Sequence, residues 1–155
     1  MNYLIAACSG TKRTPSAATM PAIELYDGPA WRIIRKAAEK YPTRFVRNLS
    51  VYVLSAEYGL VPAGAHIAPY DRKLDADRAE FLQAKVERQG LAHLSGMAID
   101  PHPNLLVAGG RLYADLAFHA LPNHDDMMWR CSCDDSRGIG DQLSELKTWL
   151  EAVLS

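Results

Sequence analysis

Four short clusters carry the chemistry-bearing side chains of this sequence. Cys8-Ser9-Gly10-Thr11-Lys12 sets a thiol, two hydroxyls and an ammonium around one glycine. Glycine lets a ligand approach the backbone, Ser9 and Thr11 donate, and Lys12 neutralises, so the segment suits a small anion or sugar phosphate. Cys8 is also a candidate nucleophile, its thiolate favoured by Lys12 and nearby amides. The plainer alternative is a small buried cysteine that ends a strand before an ordinary turn. A P-loop is excluded, because GxxxxGK[ST] is absent. The second cluster, Ser55-Ala56-Glu57-Tyr58-Gly59, offers Glu57 as a general base or a ligand for a hydroxyl or amine, or simply as a loop carboxylate bound to backbone amides or an arginine. In the third, Pro69 fixes the chain before Tyr70 and Asp71. There Asp71 is suited to activating water or holding a ribose hydroxyl, or else to an Asx turn into Arg72-Lys73. The fourth, Gly109-Gly110-Arg111-Leu112-Tyr113, exposes amides at the start of a helix, which favours an anion or a carbonyl oxygen, or is a tight strand-to-helix turn.

Metal chemistry has thin support. Cys131 and Cys133 are one residue apart, too close for the usual two-residue spacing of a zinc knuckle, and Cys8 is the other cysteine. His119, His124, Asp125 and Asp126 follow no standard zinc pattern either. No Ser-His-Asp arrangement and no HExxH motif is visible, and neither a metal nor a cofactor is expected.

The elements that must hold these clusters follow from apolar runs. Tyr3–Ala7, Leu49–Leu54 and Leu105–Ala108 read as buried strands, each ending at one of the polar segments, with a short fourth strand over Met127–Cys131. Helices are expected over Pro29–Tyr41, from an Asp75 or Asp77 cap towards Met97 with Gly90 a possible break, over Arg111–Leu121, and over Asp141–Leu154. In the first, Trp31, Ile34, Ala37 and Ala38 form the apolar face and Arg32, Arg35, Lys36 and Lys40 the polar one. In the last, Leu143, Leu146, Leu150 and Val153 form the stripe. Alternating strands and helices predict an α/β fold, a three-layer α/β/α arrangement with a mostly parallel sheet of about four or five strands. Such sheets bind ligands beyond the carboxyl ends of their strands, so Cys8–Lys12, Ser55–Gly59 and Gly109–Arg111 should meet on one rim.

Composition narrows the function classes. The 155 residues are 48% hydrophobic and 23% charged, enough apolar content for residues 1–155 to form one α/β domain. A net charge of −1 argues against a polybasic grip on nucleic acid. That balance conceals an asymmetry: residues 1–74 carry 10 basic and 5 acidic side chains, and residues 75–155 carry 7 and 13. Nearly all the motif residues lie in the basic half, which favours a phosphate-bearing ligand at one local site. No apolar run approaches the ~20 residues of a membrane span, and the start lacks the basic region of a signal peptide. With three cysteines and no disulfide framework, a cytoplasmic, reducing setting is expected.

Taken together, Cys8-Ser9-Gly10-Thr11-Lys12, Leu25-Tyr26-Asp27-Gly28, Leu54-Ser55-Ala56-Glu57-Tyr58-Gly59-Leu60, Ile67-Ala68-Pro69-Tyr70-Asp71 and the Gly138-Ile139-Gly140 segment resemble the DUF6884 family across nearly the whole chain. More distantly they resemble the peroxide-stress YaaA family. The residues that match those motifs are Cys8, Ser9, Lys12, Tyr26, Ser55, Glu57, Tyr58 and Tyr70. The YaaA resemblance implies a link to oxidative stress and iron control and contact with DNA, through additional structure for which this chain has little room. Together the resemblances imply a nucleotide, nucleobase or nucleic-acid ligand without naming a reaction.

The expectation is therefore an enzyme acting on a nucleotide, nucleoside or nucleobase by cleaving or exchanging an N-glycosidic bond. Glu57 or Asp71 would serve the sugar side. Amides at Gly10 and Gly110, with Lys12, would hold phosphate or the leaving base, and Tyr26, Tyr58 or Tyr70 would stack on a ring. The rival is a non-catalytic binding protein, in which Lys12-Arg13 and the Arg32, Arg35, Lys36, Lys40 stripe meet the phosphates of a nucleic acid. Neither reading fixes an oligomeric state.

Overall fold

The computed structural model describes residues 1–122, 130–131 and 138–155. Strand β1 (Asn2–Ala7) lies at the centre of a sheet, flanked by parallel neighbours β3 (Leu49–Ser55) and β6 (Asn104–Ala108). Strand β4 (Gly59–Pro62) folds back antiparallel on β3, and β7 (Arg130–Cys131) runs parallel to β6, giving the order β4-β3-β1-β6-β7. The expected fourth strand is present as β7, while its 127–129 portion lies outside the described residues.

Both faces of the sheet are covered, which is why its strands read as continuous apolar runs. Leu4, Ala6, Val53, Leu106 and Ala108 face α2 (Pro29–Lys40) and α7 (Ile139–Leu154). Tyr3, Ile5, Leu54, Leu105 and Val107 face α4 (Ala76–His93) and α6 (Arg111–Phe118). The result is the α/β/α sandwich expected from the sequence.

Several boundaries differ from expectation. The segment after β1 contains β2 (Met20–Pro21), paired with β5 (His66–Ile67), and α1 (Ala22–Leu25). A further helix, α3 (Pro42–Asn48), starts on a proline that needs no N–H there. Asp75 caps α4, its carboxylate accepting from the Arg78 amide at 2.8 Å. Gly90 does not break α4; the chain turns at Leu94 into α5 (Ser95–Ile99). On α7 the fully buried residues are Leu146, Trp149, Leu150 and Leu154, so the core stripe is rotated from the one containing Leu143 and Val153.

The larger correction concerns α2. Arg35, expected on the polar face, is buried at 8% exposure beside Trp31 and Ile34. Its guanidinium donates to the carbonyls of Ile23 (2.8 Å) and Tyr26 (2.6 Å) and to Asp27 (2.5 Å). Those partners are what make the burial affordable, because a charged group without them would be left unsatisfied. The remaining cations of the stripe are largely engaged as well: Arg32 pairs with Asp27 and Lys40 with Glu151.

Candidate functional site

Because β1, β3 and β6 are parallel, their carboxyl ends share one edge, and the loops after them meet there. The Cys8–Lys12 loop is held by a β-bridge between Lys12 and Tyr26, and by the Asp27 amide donating to Thr11 O at 2.9 Å. Within the loop, Ser9 Oγ accepts from the Thr11 amide at 3.1 Å. Gly28 closes against this turn: a Cβ there would lie 2.4 Å from Ser9 Oγ. The Leu25-Tyr26-Asp27-Gly28 motif is thus the counterpart that fixes the first loop.

Beneath the loop runs a chain of hydroxyls. Ser55 Oγ accepts the amides of Glu57 (3.1 Å) and Tyr58 (3.0 Å) and donates to Tyr70 Oη at 2.8 Å. Tyr70 Oη in turn lies 2.8 Å from Tyr26 Oη. Burial pushes the Tyr26 phenol up to about 12. Burial, with Cys8 and Tyr26 close by, raises Tyr70 as well. Both therefore stay neutral, protonated donors at ordinary pH. Tyr58 sits edge-on to Tyr70 with ring centroids 5.5 Å apart and donates to Ala68 O. The Lys12 ammonium rests over the Tyr70 ring, 4.5 Å from its centroid.

Cys8 carries a free thiol, and its Sγ lies 3.1 Å from Tyr113 Oη. Tyr113, whose phenol is likewise raised by burial and by Cys8, stands in the Gly109–Tyr113 cluster but carries no role in the sequence reading. Its only signal was its place in the first turn of the helix after Gly109-Gly110.

Two cavities flank the loop. One, about 190 Å³, lies between the ends of β1 and β6; the described residues that line it, among them Ser9, Gly110, Trp31 and Leu143, are all uncharged. The N-termini of α2, α6 and α7 border it, and each is capped by a glycine (Gly28, Gly110, Gly138) without a side-chain acceptor for its free amides. The other is an open groove of about 550 Å³ along Gly10, Lys12, Arg13, Tyr70 and Asp71. Arg13 is held there by Glu24 (3.0 Å) and Asp27 (3.6 Å). Asp27 also receives Arg32 and Arg35, and these cations keep its carboxyl below the ordinary carboxylate range.

The rim thus brings together Cys8, Ser9, Gly10, Lys12, Tyr26, Ser55, Tyr70, Asp71, Gly109 and Gly110, with Tyr58 against Tyr70. Thr11 contributes its backbone, its side chain being exposed. Glu57 is committed elsewhere, its carboxylate 2.6 Å from Arg72. Arg111 is exposed and faces Asp115 on its own helix at 3.8 Å. Among the described residues no group of three His, Cys, Asp or Glu side chains is placed to hold a metal, and no helix is long and apolar enough to cross a membrane. The Cys131–Cys133 pair and the 124–126 segment lie outside the described side chains.

Comparison with known proteins gives two matches. The model of a family described as "Family of unknown function (DUF6884)" matches residues 3–148. A UPF0246 protein of Streptococcus gordonii (strain Challis) is 38% identical over 81 residues, covering 51% of this chain and 30% of that protein. The chain therefore matches less than a third of that relative's length, in agreement with the more distant resemblance to the YaaA family. No solved structure matches.

Proposed function

This chain belongs to the DUF6884 family, and on that premise we propose that it acts on a nucleotide or nucleoside, hydrolysing an N-glycosidic bond at the carboxyl rim of its sheet. One observation carries the reading: the Cys8–Lys12 loop divides an uncharged, amide-bordered chamber from a groove that holds Lys12 and Asp71. Rupture of an N-glycosidic bond leaves positive charge on the sugar and negative charge on the base. Three helix N-termini favour negative charge on the chamber side, and a carboxylate favours positive charge on the groove side.

In this reading Asp71, exposed and in no ion pair among the described residues, orients water towards C1′ and stabilises the charged sugar. The C1′–N bond breaks with its electron pair going to the base. The water oxygen bonds to C1′, and a water proton ends on the base. Tyr70, locked by Ser55 and Tyr26, supplies the ring against which the sugar packs. Glu57 is a weaker choice of base, because Arg72 already neutralises it. A cytoplasmic setting belongs to the same proposal, supported by the free thiol of Cys8.

The test is release of free base from a panel of nucleosides and nucleoside 5′-monophosphates, followed by mass spectrometry. Asp71→Asn should lower the rate by about 10²-fold or more, the range of a positioned general base, with an unchanged melting temperature. Glu57→Gln should stay within several-fold of the parent. Cys8→Ser should also stay active, since a hydroxyl preserves the contact to Tyr113, whereas a nucleophilic Cys8 would lose nearly all turnover. Binding without any base release would reduce the protein to a non-catalytic ligand binder.

A further inference from the structure

The two cavities also discriminate among ligands. Resting on the reading of the rim as a nucleotide site, we infer that its substrate is a single nucleoside 5′-monophosphate, with the base in the uncharged chamber and the phosphate on Lys12 in the groove. The chamber walls include Ala30, Trp31, Leu143 and Leu146, and among the described residues none that lines it is charged. A phosphate dianion would lose its hydration there with no cation to replace it, whereas a flat neutral ring loses little. The acceptor atoms on the edge of a base would meet the free first-turn amides at the chamber's border.

The groove has the opposite character. Of its two cations Arg13 is held by Glu24 and Asp27, leaving Lys12, in no ion pair among the described residues, over the Tyr70 ring. Space is open beside Gly10, where an added Cβ would meet nothing within 4 Å, so a phosphate oxygen reaches the backbone. Ser9 lines the chamber and Gly10 the groove. These are consecutive residues of one loop, so in the inferred complex the ribose crosses that loop, with Asp71 on its groove side. A polynucleotide would need a track of free cations. Instead, three of the four cations of the α2 stripe, Arg32, Arg35 and Lys40, are engaged internally, leaving Lys36.

Calorimetric titration with AMP, GMP, adenosine, guanosine, adenine, ribose 5-phosphate and a short single-stranded DNA tests this. Each monophosphate should bind about tenfold or more tightly than its nucleoside, the worth of one charge-assisted contact. Lys12→Gln should bring that ratio close to one and leave nucleoside affinity within about twofold, the residual that loss of one phosphate contact leaves. Leu143→Trp should weaken adenine, adenosine and AMP together while sparing ribose 5-phosphate. Ile139→Trp, a substitution at an exposed position on the same chamber, repeats that arm should Leu143→Trp fail to fold. Equal affinity for nucleoside and monophosphate, tighter binding of the oligonucleotide, or no binding of any probe would overturn the inference. Base release from nucleosides as fast as from monophosphates would overturn it and leave the hydrolytic reading intact. The expected binding pattern without base release would do the reverse.

Discussion

Tyr26 and Tyr70 set the character of the rim at the scale of single residues. Tyr26 has no solvent exposure and is bonded through its phenol to Tyr70. Burial raises it from 10.0 to about 12. A raised folded value contributes stability that is complete below the unfolded value and is lost as pH rises through the folded one. Stability should therefore fall between pH 10 and about 12, by roughly 2–3 kcal/mol from this group if burial acts in full. In Tyr26→Phe the alkaline decline followed by denaturant titration should be shallower, even though the variant starts lower for want of the bond to Tyr70. An equally steep decline in both proteins would show that Tyr26 is not the titrating group. Most of these residues were legible in the sequence, since Cys8, Ser9, Lys12, Tyr26, Ser55 and Tyr70 stand in recognisable motifs. Tyr113 was not, because its link to Cys8 spans 105 positions and no local pattern encodes it.

At the scale of elements, two glycines show what the strands and helices demand of each other. Gly90 was read as a possible break, yet α4 continues through it; a Cβ there would stand 2.0 Å from the carbonyl oxygen of Ala120. Gly90→Ala should thus reverse the usual helical gain of up to ~1 kcal/mol and cost about 1–3 kcal/mol. Gly10→Ala and Gly140→Ala, where the space is open, should not incur that overpacking cost. Chemical denaturation of the three variants checks the contrast, and a stabilised Gly90→Ala would contradict the close approach of α4 to Ala120. Strand β4 escaped the sequence reading because Pro62 argues against a strand. It is an edge strand, where a missing donor is tolerated. Gly59 makes the turn into it at φ +75°, a conformation that favours glycine.

Across the whole molecule, five of the ten basic side chains in residues 1–74 are held in ion pairs. Arg13, Arg32 and Arg35 converge on Asp27, Lys40 meets Glu151, and Arg72 meets Glu57. Of the stripe that a nucleic-acid binder would present, Arg32, Arg35 and Lys40 are thus tied to carboxylates, while Lys36 is in no ion pair among the described residues. Duplex DNA should bind weakly, with a shallow dependence of log K on log salt corresponding to about one or two phosphate contacts. A steep slope, measured by fluorescence anisotropy across a salt series, would restore the nucleic-acid reading. Arg35→Met should be costly as well, roughly 1–3 kcal/mol, because the carbonyls of Ile23 and Tyr26 would lose their buried donor.

The sequence by itself determined the α/β class, the parallel core strands and the convergence of three polar loops on one rim. Those features follow from local runs of apolar residues and from the fixed geometry of parallel sheets. Only the tertiary structure decided which charges and hydroxyls remain available there. It gave Glu57 to Arg72, buried Arg35 against Asp27, linked Ser55, Tyr70 and Tyr26, and left Lys12 and Asp71 in the groove. Such pairings depend on distances between residues far apart in the chain, and no periodicity or spacing records them.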